Sequence, residues 1–226
     1  MRLLLVGDLH ANIERAKEIN DLAIRQDIDK IIGLGDFGYT FTPDVISAVS
    51  AQKIPWYFID GNHDDHTQLT HDAPEIEEFA HELYYIPRGH VWEWESKTFA
   101  AMGGAYSIDK SHRVPYISWW PEEQIQIGDM YRLDENIGSK KVDIFLSHEA
   151  PKIAVKHFFK DANREGLSDR AFLEQAYNNY KPKLWIHGHW HYRYEWQSDD
   201  TKFIGLGHDY DTIEEQAYIL DLKGKK

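Results

Sequence analysis

The sequence predicts an α/β fold in which two mixed sheets lie face to face and helices cover their outer sides. Three observations predict it: apolar runs that are continuous rather than alternating, helical spacing between the first of these runs, and a hairpin followed by a closing set of strands. The runs at residues 3–6, 31–34, 56–59, 142–146 and 184–186 read as strands covered on both faces. Residues 12–27 read as a helix, with Ile13, Ala16, Ile19, Leu22, Ala23 and Gln26 at helical spacing. Residues 43–52 read as a second, with Val45, Ile46 and Val49 on one face. This β-α-β-α-β opening is expected to build a mainly parallel sheet. Residues 91–94 and 98–102 form a hairpin around Glu95-Ser96-Lys97. Residues 122–136 and 168–180 are expected helices, the second with Ser168 as N-cap and Asp169 in its first turn. Residues 183–187, 192–197, 202–206 and 217–222 are the closing strands, and late antiparallel strands are expected to supply the second sheet. No internal repeat or low-complexity linker divides the chain, so residues 1–226 read as a single domain.

Composition narrows the function classes. With 42% hydrophobic and 28% charged residues, the 226-residue chain reads as an ordinary soluble globular protein. The absence of cysteine excludes disulfides, thiolate metal sites, iron–sulfur clusters and a cysteine nucleophile. The opening Met1-Arg2-Leu3-Leu4-Leu5-Val6-Gly7-Asp8 is too short in apolar residues for a secretory signal, and no run approaches a membrane span, so a cytoplasmic protein without a membrane partner is expected. The net charge is −13, and the largest basic cluster is the terminal Lys223-Gly224-Lys225-Lys226. No extended nucleic-acid surface is therefore expected. A phosphate substrate remains compatible, because bound cations set the local sign. Oligomeric state is not legible.

Polar punctuation follows the strands. Asp8 and His10 follow the first, Asp36 the second, and Asn62, His63 and Asp64 the third. His148 follows the run at 142–146, and His189 and His191 follow that at 184–186. In open α/β sheets the carboxyl ends of strands form the ligand crevice, so these groups are expected to converge. Imidazole, carboxylate and amide ligands suit manganese first, with iron, zinc or nickel as alternatives. Seven such ligands exceed one tetrahedral site and fit a pair of ions sharing a carboxylate. Gly7, Gly35, Gly61 and Gly188 are expected to let the backbone turn sharply beneath them. His189 and His191, separated by Trp190, are expected on one side of an extended segment.

Asp8-Leu9-His10, Gly35-Asp36, Gly61-Asn62-His63-Asp64, Ser147-His148 and Gly188-His189-Trp190-His191 resemble the five ordered motifs of the calcineurin-like metallophosphoesterase superfamily. The resemblance implies a four-layer α/β/β/α sandwich, the metallo-dependent phosphatase-like fold. It implies two divalent ions, one on Asp8, His10 and His191, the other on Asn62, His148 and His189, with Asp36 between them. A hydroxide bridging the ions would attack phosphorus, and His63 would protonate or stabilise the leaving oxygen, steadied by Asp64 or Asp65. Where the protein-phosphatase branch carries Asp-Arg, this chain has Tyr39-Thr40, which weakens a phosphoprotein reading. Residues 103–110, with Arg113 and Trp119-Trp120 beyond, resemble the substrate-side loop of phosphodiesterase-like members, including the RNA lariat debranching branch. This gives Tyr106, Asp109, Arg113 and Trp119 as candidate substrate-binding residues, through stacking of a base and a grip on phosphate.

The favoured expectation is a phosphodiesterase acting on a nucleotide or nucleic-acid end. A phosphomonoesterase for a protein or small metabolite is the alternative, and a non-catalytic scaffold of the same fold the third reading. Among the remaining residues, His66, His71, His81, His90 and His157 read as surface histidines and His187 as a buried strand-end residue. His112 and His208 are left as weaker cleft candidates. Trp119 and Trp120 can also be read as packing, Trp92, Trp94, Trp185 and Trp196 as sheet packing, and the acidic run 72–78 as a solvated loop and helix start.

Overall fold

Alternation hidden inside the apolar runs decides how each strand is used. In β1 (Arg2–Val6), Leu3 and Leu5 join one buried cluster while Leu4 and Val6 join another, so both faces of the strand are covered. The computed structural model describes residues 1–38, 41–51, 53–159 and 166–223. Tyr39, Thr40 and the tail lysines Lys225 and Lys226 lie outside the described residues.

The first half of the chain gives α1 (Ile13–Arg25), β2 (Lys30–Leu34), α2 (Pro43–Val49), β3 (Trp56–Ile59), β4 (Glu77–Ala80) and β5 (Leu83–Tyr85). Asn12 caps α1 by accepting from the Arg15 amide, and Thr42 caps α2 just before Pro43. β6 (Val91–Trp94) and β7 (Lys97–Met102) form the hairpin. There follow α3 (Ile127–Ile137), β8 (Ile144–Ser147), α4 (Lys152–Phe158), α5 (Leu167–Tyr180), β9 (Leu184–His187), β10 (Tyr194–Ser198), β11 (Thr201–Gly205), α6 (Ile213–Gln216) and β12 (Ala217–Asp221).

Two six-stranded mixed sheets result, in the orders β12-β1-β2-β3-β5-β4 and β10-β11-β9-β8-β7-β6. Three buried clusters mark the three interfaces of a four-layer α/β/β/α sandwich. One joins α1 and α2 to the first sheet, one holds Leu5, Leu34, Phe99, Leu146 and Ile186 between the sheets, and one joins α3, α4 and α5 to the second sheet. Among the described residues, no helix is long and apolar enough to cross a membrane.

Several sequence expectations are corrected. The second sheet is not built from late antiparallel strands: β7, β8, β9 and β11 run parallel, with β6 and β10 antiparallel at its edges, and β12 returns to pair antiparallel with β1. The acidic run 72–78 leads into edge strand β4, whose exposed Glu77 and Glu78 hide the strand pattern while protecting the edge. Residues 122–136 are not one helix, because Arg88 captures the carbonyls of Glu122, Glu123 and Gln124 before α3 begins. Ser168 lies inside α5, preceded by Gly166 at φ 71°. His66 and His90 are buried rather than superficial, His71 is half-buried, and His81 and His157 are exposed.

Candidate metal centre and substrate cleft

The parallel strands β1, β2 and β3 of one sheet and β8 and β9 of the other deliver their following residues to one place. His191 Nε2 lies 2.9 Å from Asp8 Oδ2. His10 Nε2 lies 3.5 Å from Asp36 Oδ2, and His148 Nε2 lies 3.3 Å from Asp36 Oδ1 and 3.1 Å from Asn62 Oδ1. The rings of His148 and His189 are 5.0 Å apart. Asp8, His10 and His191 bring ligand atoms within 4.8 Å of one another, as do Asp8, Asp36 and His148. All seven residues expected to bind metal thus meet at one end of the sandwich, with Asp36 facing both His10 and His148.

Hydrogen bonds fix which atoms face inward. The Leu34 carbonyl can only accept, so His148 Nδ1, 2.7 Å away, carries a proton and Nε2 faces inward. Asn62 Nδ2 donates to Ser107 Oγ at 3.0 Å, and that hydroxyl donates to Glu123 Oε2 at 2.6 Å, leaving Asn62 Oδ1 toward His148. Asp209 Oδ1 lies 2.9 Å from His10 Nδ1 and accepts its proton. Glu149 Oε1 accepts from the Trp190 indole at 2.6 Å, and Glu149 Oε2 from Arg170 Nε at 3.1 Å; Oε2 also stands 3.7 Å from His189 Nε2.

The glycine expectation is half right. Only Gly35 of the four has positive φ, at 93°. At Gly61 the reason is close approach: a Cβ there would collide with the Asp36 carboxylate and the His148 ring. The left-handed backbone is carried by the functional residues themselves, at φ 47° for His10, 48° for Asp36, 65° for His189 and 49° for His191. His189 and His191 therefore reach the site from a tight turn, not from an extended segment.

The cleft has a volume of about 490 Å³ and is lined by Asp36, Asn62, His63, Tyr106, Ile108, Asp109, Arg113, Arg170 and the segment His189–His191. Arg113 Nη2 lies 3.0 Å from His63 Nε2, and Asp109 Oδ1 holds Arg113 Nε at 2.8 Å. Tyr106, Asp109 and Arg113 thus stand where the sequence put them. Trp119 does not line this cleft; its carbonyl closes a turn on the Tyr116 amide, and Lys110 lies 5.7 Å over its ring. Asp64 does not steady His63. Its oxygens accept from the Gly38 and Gly61 amides, at 2.8 and 2.7 Å, and brace the backbone beneath that histidine. Asp65 is spent on Thr67 and Gln68. His208 belongs to the site, its ring 4.2 Å from that of His191, whereas His112 is exposed. Asp209 follows β11 and was detectable by the strand-end rule. Arg170 sits on a helix, where no local pattern marks it.

The family model for calcineurin-like phosphoesterases matches residues 1–193. The chain belongs to the calcineurin-like phosphoesterase family. Among solved structures, TT1561 of Thermus thermophilus is similar at a TM-score of 0.58 and 16% identity, over 92% of this chain and 89% of that one. A structure described as a novel archaeal phosphodiesterase gives 0.51 and 14%, over 97% and 99%. A novel phosphatase from Mycoplasma pneumoniae gives 0.52 and 13%, over 92% and 72%. At these identities the likeness shows the fold. No curated protein matches the chain.

Members of the calcineurin-like phosphoesterase family use divalent metal ions, and the donor set here fits them. His148 Nε2 faces two acceptors, Asp36 Oδ1 and Asn62 Oδ1, an arrangement stabilised by a positive charge among them, either a proton on Nε2 or a metal ion in its place. Asp8 Oδ2 is buried and, though close to His191, lacks an aligned hydrogen bond. The two rings facing Asp36 respond to the same negative field. Burial disfavours charge on His10, yet Asp36, Asp8 and Asp209 raise its pKa to about 10. His148 is raised likewise, by Asp36 and Asp8 against its burial.

Proposed function

We propose that this chain is a metal-dependent phosphodiesterase for small substrates, working with two divalent cations, manganese first among the candidates. The observation that carries the reading is the position of Asp36, between His10 on one side and His148 with Asn62 on the other. Asp8, His10 and His191 would hold one ion, Asn62, His148 and His189 the other, and Asp36 both. When bound, such ions acidify water and offset charge on the phosphate oxygens.

The chain's own groups do the rest. His63 flanks Asp36, with Nε2 3.8 Å from Oδ2. Burial, aided by Arg113, His10 and His148 and opposed by Asp36, pushes its pKa down to about 4. His63 Nε2 here accepts from Arg113, which can only donate; turned from Arg113 toward substrate, a neutral ring would stabilise the leaving oxygen by donating a hydrogen bond. Arg113, held by Asp109, grips a phosphate oxygen. A cleft of about 490 Å³ exceeds what a phosphoryl group alone fills and leaves room for two ester substituents, one of them a nucleoside against Tyr106.

Mn²⁺-dependent turnover of bis(4-nitrophenyl) phosphate against 4-nitrophenyl phosphate, with and without chelator, tests the reading. Faster diester turnover supports it. Faster monoester turnover replaces it with a phosphomonoesterase. No turnover together with no bound metal by elemental analysis replaces it with a scaffold.

A further inference from the structure

Exposed apolar side chains recur along the segment that borders the cleft. Ile108, Val114, Tyr116 and Ile117 are 64%, 54%, 58% and 68% exposed, and all four lie in one ten-residue stretch. That stretch is built onto the site. Ile108 lines the cleft together with Arg113 and His63. The Arg113 guanidinium, which touches His63, also donates to the Ser118 carbonyl at 3.2 Å, so the turn bearing Val114, Tyr116 and Ile117 packs against a cleft residue. The turn is closed by the Tyr116 amide on the Trp119 carbonyl at 2.7 Å and by the Ser118 amide on the Val114 carbonyl at 3.0 Å. Tyr116 is held at φ 61°, an unfavourable conformation for a bulky residue. A tied-down turn that presents apolar side chains to water, in the segment that borders the cleft, marks a place where an apolar ligand group is covered.

We propose that one ester arm of the substrate is an aliphatic chain, seated on Ile108, Val114 and Ile117. The inference rests on the phosphodiesterase reading of the same cleft and names one of the two substituents. Three of the four rim residues are branched aliphatics, which give a chain methyl and methylene contacts and give a base no flat face to stack on. Trp190 is already engaged, stacked on Phe159 at 4.1 Å with Arg170 4.9 Å over it, and Tyr106 is the ring left to the other substituent. An acidic lipid surface is a poor alternative occupant for a chain of net charge −13.

The test uses 4-nitrophenyl methyl phosphate and 4-nitrophenyl octyl phosphate, below their aggregation concentrations, with the Mn²⁺-loaded full chain. A fully buried methylene is worth roughly fourfold, and partial cover of the chain should raise kcat/KM at least tenfold from methyl to octyl. In Ile108→Ser/Ile117→Ser that ratio should fall to near one. An equal ratio in wild type and variant, or none in wild type, overturns the proposal. If neither ester is turned over, the phosphodiesterase reading fails, and calorimetric binding of octyl phosphate against methyl phosphate still reads the rim. Tighter octyl binding that the variant loses supports the apolar arm, and equal affinities overturn it. A wild-type dimer by sedimentation that the variant converts to monomer also overturns it, assigning the patch to self-association.

Discussion

Asp209 Oδ1 lies 2.9 Å from Nδ1 of His10, and this contact turns the other ring nitrogen of His10 toward Asp36. The same carboxylate accepts from Asn12, the cap of α1, at 2.9 Å. A carboxylate that fixes the tautomer of a ligating imidazole typically accounts for 10–100-fold in metal affinity. Asp209→Asn should therefore weaken Mn²⁺ binding by about that factor in a calorimetric titration, with Tm in chelator little changed. Unaltered affinity would show that His10 is oriented by something else.

His63 faces the cleft beside Arg113. His63→Ala should lower kcat by about 10²–10⁴-fold, the usual worth of a group acting on a leaving oxygen. Metal content by elemental analysis should stay at the wild-type value. A parallel loss of metal would move His63 into the ligand set.

Arg88 is buried and bonded to Asp60 Oδ2 through Nε at 2.9 Å and Nη2 at 2.6 Å, while also binding three carbonyls ahead of α3. Arg88→Met would strand the Asp60 charge in the core. Removing one partner of a buried pair costs about 3–5 kcal/mol, which urea denaturation should show. Adding Asp60→Asn should recover part of the loss. An Arg88→Met protein as stable as wild type would argue that the pair contributes nothing.

Asp169, in the first turn of α5, accepts from the Ile125 amide at 2.9 Å and from Gln124 at 3.1 Å. Burial, assisted by Glu149, outweighs those bonds and raises its carboxyl to about 6. The folded state therefore holds this proton more tightly than the unfolded chain. Its stabilising contribution is fully present below about pH 4 and is lost as pH rises through 6, by up to about 3 kcal/mol. In Asp169→Asn, whose amide oxygen can still accept from Ile125, denaturation midpoints should lack that pH 4–6 decline. A parallel pH profile in both proteins would remove the assignment.

The strand ends were legible because side-chain chemistry and periodicity coincide there: Asp8, Asp36 and His148 each follow a short continuous apolar run of the kind a covered strand gives. What the sequence hid depends on distant partners. Asp64 looks catalytic beside His63, but its carboxylate is captured by Gly38 and Gly61. Trp119 looks like a stacking surface, but its turn folds back on Tyr116. β12 reads as a late strand, yet its register against β1 is set by a sheet built at the other end of the chain.

The left-handed backbone at His10, Asp36, His189 and His191 sets stability against function. Each such residue costs about 1 kcal/mol or more, and glycine would remove that cost without supplying a donor atom. Screening random variants for heat resistance alone should therefore enrich glycine at these four positions and yield robust but inert proteins. Improvement of this scaffold has to select on turnover and melting temperature together.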